Sequence, residues 1–130
     1  MNSESKKLVL TGYATVRKFG GYAIPVPIQN RLLRVYCKEH KYIYKLPLVE
    51  TCLTNNFMHL HQTLDTCTKL TNIGMCSIYM FPRETKKFNS LRSKIEEKEL
   101  RFHFLFENIV VESSEIEEIY FDSRLRYLDL

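Results

Sequence analysis

The chain has 130 residues, with 19 Lys plus Arg against 15 Asp plus Glu, four His, four Cys and no Trp. That length closes one hydrophobic core but not two, and 45% hydrophobic with 26% charged residues excludes a disordered tail or a coiled coil. A net charge of +4 argues against a strongly cationic partner and is too dispersed to specify nucleic acid.

Met1 to Lys7 is polar and charged, and the apolar run Leu8 to Leu10 is too short for the core of a signal peptide. No stretch approaches the roughly 18 apolar residues of a membrane span, so no membrane insertion is expected. We divide the chain into a polar tail, residues 1–6, and a single α/β domain, residues 7–130, expected to stay in the cytoplasm. Leu8 to Ala14 reads as a strand, and Lys18 to Pro27, with Gly20, Gly21, Pro25 and Pro27, as a loop. From Ile28 the spacing of Ile28, Leu32, Leu33, Val35 and Tyr36 predicts a helix ending near His40. Tyr42 to Leu48 reads as a second strand. A second helix fits Asn56 to Leu70, with Asn55 or Asn56 as its cap. Ile73 to Phe81 is a near-continuous apolar run, read as a strand covered on both faces and stopped by Pro82. A third helix spans about Arg83 to Lys98. Arg101 to Phe106 is a fourth strand, Ile109 to Val111 a short fifth, and a last helix follows a cap at Ser113 or Ser114.

This alternation predicts a three-layer α/β/α sandwich with a four- to five-stranded, mostly parallel sheet. In such a sheet ligands bind beyond the carboxyl ends of the strands, at the switch point. Strand one delivers Tyr13, Thr15 and Arg17 to that edge, followed by Lys18 and the Gly20-Gly21 pair. Strand two delivers Glu50 and Thr51, strand three Ser77, Tyr79 and Arg83, and strand four His103, Glu107 and Asn108. Gln29 joins them from the first helix, with Arg31 and Arg34 further along it.

A glycine pair between a strand and a helix start, with Arg and Lys beside it, is anion-binding chemistry. No GxGxxG fingerprint and no Walker A lysine accompany it, and the bland alternative is a pair that only lets a long loop turn. Each polar residue has such an alternative. Glu107 would pair with Arg17 or Arg83, His103 would be a hydrogen-bonded core histidine, and Tyr13 and Tyr79 would fill core space. Ser77 lacks a GxSxG elbow. His59 and His61 point to different faces of a helix, and Cys37, Cys52, Cys67 and Cys76 have no metal spacing, so neither metal nor cofactor is expected. The thiols read as small buried hydrophobes. Of Cys76 and Ser77 only one can face the pocket, and Ser77 is favoured.

Two resemblances follow from these residues. Gly12-Tyr13-Ala14-Thr15-Val16-Arg17, then Gln29 and Leu32-Leu33, resemble the opening of the serine recombinase (resolvase/invertase) catalytic domain. Arg17 stands where that family has its nucleophilic serine, and Thr15 replaces its strand arginine. The resemblance therefore implies a resolvase-like or flavodoxin-like fold and not strand cleavage. No helix-turn-helix follows within the 130 residues.

A second resemblance runs from Gly12 to about Ile119. It is carried by Gly12-Tyr13, Arg17, Ile24-Pro25-Val26-Pro27-Ile28-Gln29-Asn30, Arg34-x-Tyr36-Cys37, Met75 to Pro82, and Leu100-x-Phe102-His103-Phe104 with Glu107. This pattern is similar to the "sporadic carbohydrate cluster" proteins, small bacterial proteins encoded among genes for surface polysaccharide and lipopolysaccharide biosynthesis. It implies a pathway rather than a reaction, with a phosphorylated, nucleotide-activated or acidic sugar as the expected partner.

Three functions are weighed. In the first, Arg17, Lys18, Gly20 and Gly21 hold the anion, with Tyr13, Gln29, Ser77 and Arg83 also lining the substrate site. Glu107, His103 and Tyr79 then serve isomerisation, epimerisation or a lyase step. The second is a non-catalytic regulatory or assembly subunit of the same pathway, with aromatic residues supplying a homo-oligomer surface. The third and least favoured is a degenerate resolvase-like DNA-binding protein.

Overall fold

A computed structural model describes residues 8–21, 23–50 and 57–128; the polar tail and the caps expected at Asn55 or Asn56 lie outside the described residues. Five strands form one sheet: β1 (Val9–Thr15), β2 (Ile43–Glu50), β3 (Asn72–Met75), β4 (Arg101–Phe104) and β5 (Ile109–Glu112). Their order is β2-β1-β3-β4-β5, with β1 to β4 parallel and β5 antiparallel at the edge. Helices α1 (Val26–His40), α2 (Met58–Thr66), α3 (Thr85–Lys98) and α4 (Ile116–Leu128) complete an α/β/α sandwich. This is the expected class, in the flavodoxin-like strand order. Among the described residues no helix is long and apolar enough to cross a membrane.

The order explains the layers. The chain moves one way from β1 to β2, then the other way to β3 and β4. Right-handed crossovers then put α1 on one face and α2 and α3 on the other. The apolar residues divide accordingly. Leu10, Leu33 and Cys37 form a small cluster on the α1 face, flanked by Tyr36, Tyr42 and Tyr44. On the opposite face Ile73, Met75, Phe102 and Phe104 pack with Leu60, Leu64, Phe88, Leu91, Ile95 and Tyr120. Gly74 lets the α1 face close, because a Cβ there would overlap the Leu10 side chain. The reversal of direction lies between β1 and β3, so their carboxyl ends frame the crevice.

Three elements differ from the sequence reading. The run Ile73 to Phe81 is not one strand: the chain leaves the sheet after Met75 and makes a 3-10 turn at Ile78–Met80. Ile78, Met80 and Phe81 stay buried because the turn tucks into the large cluster, and burial alone does not separate strand from turn. The second helix is shorter than expected and stops at Thr66, where Cys67 turns extended. Lys98 of α3 closes that end by donating Nζ to the carbonyls of Leu64, Asp65 and Cys67 at 2.7–2.8 Å. The fourth strand ends at Phe104, and Asn108, at φ 56°, sits in the turn that sends β5 back antiparallel.

Candidate functional site

The site grows from the end of β1. Gln29 at the start of α1 is fully buried and brackets that end: its Oε1 accepts from Thr15 N (3.2 Å) and its Nε2 donates to Thr15 O (2.7 Å) and Ile24 O (2.8 Å). Thr15 Oγ1 then accepts from Arg17 N at 3.1 Å, a side-chain turn that brings the chain back on itself. Arg17 consequently lies inward, 9% exposed, its Nη2 donating to the Tyr13 hydroxyl at 3.1 Å and its guanidinium 3.9 Å from the Phe57 ring centre. Its Nη1 is buried with no hydrogen-bond partner, and no carboxylate among the described residues pairs with this cation. Arg92 also has a buried, unpartnered nitrogen, but its Nη1 pairs with Glu117 at 3.3 Å. Among the described residues Arg17 has no such relief.

Arg17 lines a pocket of about 250 Å³ at the switch point, together with Thr15, Lys18, Tyr79 and Arg83. Phe19, Phe57 and Phe81 supply an aromatic wall, and Glu84 sits on the rim. Gly20 adopts φ 57°, and a Cβ there would come within 3.1 Å of the Tyr79 ring, so its lack of a side chain lets the loop close over Tyr79. Gly21, at φ 80°, has open space around its Cα and completes the turn.

Of the eleven proposed site residues, Arg17, Lys18, Tyr79 and Arg83 meet at this pocket, with Gly20 against Tyr79. Tyr13 is fully buried behind it and holds Arg17. Gln29 uses its amide on main-chain groups of the strand end. Glu107 and Ser77 are not on its wall. Glu107 Oε2 accepts from Ser77 Oγ (2.8 Å) and Oε1 from Ile78 N (2.9 Å), while Ser77 Oγ accepts from Tyr79 N (3.1 Å). The pair thus clamps the turn that presents Tyr79. The expected pairing of Glu107 with Arg17 or Arg83 is absent among the described residues.

His103 lies on the α1 face of β4, 2% exposed. Its Nε2 donates to Asn72 Oδ1 (2.9 Å), and in the neutral ring its Nδ1 accepts from the Tyr36 hydroxyl (2.7 Å). Burial, then the charge of Arg101, push its pKa down to about 4. Cys76, weighed against Ser77 for the pocket, is fully buried, and burial with the nearby Glu107 pushes its thiol up to about 12. Neither residue lines the basic pocket. Cys37 is buried and Cys67 half-buried, while Cys52 and Thr51 lie outside the described residues. Arg31 and Arg34 are exposed on α1, away from the pocket wall.

Sequence reasoning missed Phe19, Phe57, Phe81 and Glu84. Phe19 carried a readable signal, an aromatic residue set directly between the Lys18 cation and the Gly20-Gly21 pair. Phe57 carried none, because only the tertiary fold brings it under Arg17. No protein-family model and no curated protein matches the chain.

Proposed function

We propose that this chain binds a small anionic sugar derivative of bacterial surface-polysaccharide or lipopolysaccharide assembly, in the pocket between the ends of β1 and β3. The observation that carries the reading is Arg17, a nine-tenths buried cation with a free donor and no carboxylate partner among the described residues. Such a group is costly unless an anion completes it. Lys18 and Arg83 add positive charge, and the aromatic wall suits the apolar face of a sugar ring. The volume lies below the roughly 300–1,000 Å³ of drug-sized ligand sites, which favours one sugar-sized group over a whole nucleotide sugar. The sugar half of the reading rests on the resemblance running from Gly12 to about Ile119.

The second reading, a regulatory or assembly subunit without catalysis, draws support from the placement of Glu107 and His103. Both expected proton carriers stand outside the pocket with their polar atoms engaged. An isomerase, epimerase or lyase would have to use Tyr79 or Glu84 instead. Homo-oligomer formation and a cytoplasmic location belong to the same proposal. A thermal-shift series with sugar phosphates, nucleotide sugars and acidic sugars tests it. Stabilisation by at least one class, lost in Arg17→Ala, is expected; no shift with any class refutes the reading.

A further inference from the structure

Three phenylalanines wall the anion pocket, and they are held differently. Phe19 lies beside Phe106, with ring centres 6.4 Å apart, and Phe81 meets Phe88, Phe102 and Phe104 inside the large apolar cluster. Among the described residues no aromatic ring stacks on Phe57. Its ring instead faces the Arg17 guanidinium, whose central carbon stands 3.9 Å from the ring centre. The backbone of Phe57 is also unusual. This residue opens α2 at φ 50° and ψ 31°, a left-handed conformation that is costly for a side chain with a Cβ and easier for glycine or asparagine. Its carbonyl accepts from His61 N at 3.0 Å, so the start of the helix fixes it there. Strain of this kind persists where the surroundings demand one particular side-chain position.

We propose that Phe57 is a positioning residue for anion binding: its ring holds the Arg17 guanidinium by one face, so that the anion meets Arg17 edge-on at Nη1. The inference rests on the anionic-sugar reading and says how that site is organised before ligand arrives. A guanidinium has two flat faces and a rim of donors in its own plane. Phe57 covers one face, Tyr13 accepts from Nη2 at 3.1 Å, and the buried Nη1 is left without a hydrogen-bond partner. The ring attracts the cation through its quadrupole and leaves in-plane hydrogen bonding untouched, so the stack and an anion at Nη1 coexist. With the plane already held, less side-chain freedom is lost on binding. A phenylalanine that served the apolar core alone would be replaceable by leucine without effect on Arg17.

The test combines NMR of the Arg17 side-chain N–H groups with calorimetric titration of the full chain by inorganic phosphate, a hexose 1-phosphate and a hexuronate. The variants are Phe57→Leu and Phe57→Tyr. The ring current should move the Arg17 resonances upfield in wild type and in Phe57→Tyr, and not in Phe57→Leu. The probe that binds wild type best should bind Phe57→Leu about threefold to tenfold more weakly. Phe57→Tyr, which keeps the ring, should restore affinity to within about twofold of wild type. Wild-type Arg17 resonances without the upfield shift overturn the positioning role, and this measurement stands even if Phe57→Leu fails to fold. Phe57→Leu binding as tightly as wild type, or Phe57→Tyr binding as weakly as Phe57→Leu, overturns that role while the anion pocket stands. Absence of binding to wild type by all three probes overturns the anionic reading and this inference together.

Discussion

Replacing Arg17 by Met should make the ligand-free protein more stable while removing its response to anions. Among the described residues the Arg17 guanidinium is held by one hydrogen bond to the Tyr13 hydroxyl and by the face of Phe57. These contribute about 1.5–3 kcal/mol for a charged hydrogen bond and about 1–2 kcal/mol for a desolvated cation–π contact. Against them stand an unsatisfied buried donor, about 1–3 kcal/mol, and a desolvation penalty of several kcal/mol for a buried ion. Methionine keeps an unbranched stem against Phe57 and carries no charge. The balance favours the variant by about 1–2 kcal/mol, a rise in Tm of about 3–8 °C for a domain of this size. Differential scanning calorimetry with and without inorganic phosphate measures both quantities. Wild type should gain stability with phosphate and Arg17→Met should not. A variant more than about 1 kcal/mol less stable than wild type, or one that still responds to phosphate, would refute the reasoning, because Arg17 would then be a structural residue already satisfied in the free protein.

The remaining predictions concern the frame around the pocket. His103 is kept neutral in the folded protein, with a pKa of about 4 against about 6.5 when unfolded, so the unfolded chain takes up the proton first. Its contribution is therefore complete above about pH 6.5 and is lost as pH falls toward about 4, a decline of about 3 kcal/mol. Urea unfolding across that range should show the slope, and His103→Gln should flatten it. Lys98→Met removes three hydrogen bonds to the end of α2 and should cost about 1.5–3 kcal/mol, read as a lower denaturant midpoint. Glu107→Ala frees the turn carrying Tyr79 and should destabilise by about 2 kcal/mol. Its effect on anion affinity should be smaller than that of Arg17→Met, since the carboxylate touches the turn and not the pocket; an equal loss would return Glu107 to the binding surface.

The fold was legible because periodicity changes with each element, from the β-branched run at Leu8 to the helical spacing after Ile28. The apolar stretch Ile73 to Phe81 misled because a buried 3-10 turn and a buried strand need the same side chains. At the site, Arg17, Lys18, Tyr79 and Arg83 were readable as residues assigned to the carboxyl-end edge of the first and third strands. Glu107 and His103 were equally well placed by that rule, yet the structure turns them elsewhere. A strand end fixes where a residue sits along the sheet, whereas the face and the partner depend on contacts distant in sequence: Glu107 finds Ser77, and His103 finds Asn72 and Tyr36. Gln29 was expected to touch ligand and instead fastens Thr15, because its amide matches a strand-end peptide in both donor and acceptor.

The two faces of the sheet are held by different chemistry. One is sealed by a broad aromatic and aliphatic layer under α2, α3 and α4, whereas the other rests on three buried apolar residues, a polar lattice of Tyr36, His103 and Asn72 and, separate from it, Gln29 on the end of β1. Acid attacks the lattice and spares the oil, so α1 should peel away first as the pH falls, with the three-helix side still closed. Because Gln29 travels with α1, that peeling would unfasten the strand end that aims Arg17. The anion pocket would then fail before the domain unfolds, its loss timed by a histidine on the opposite side of the sheet.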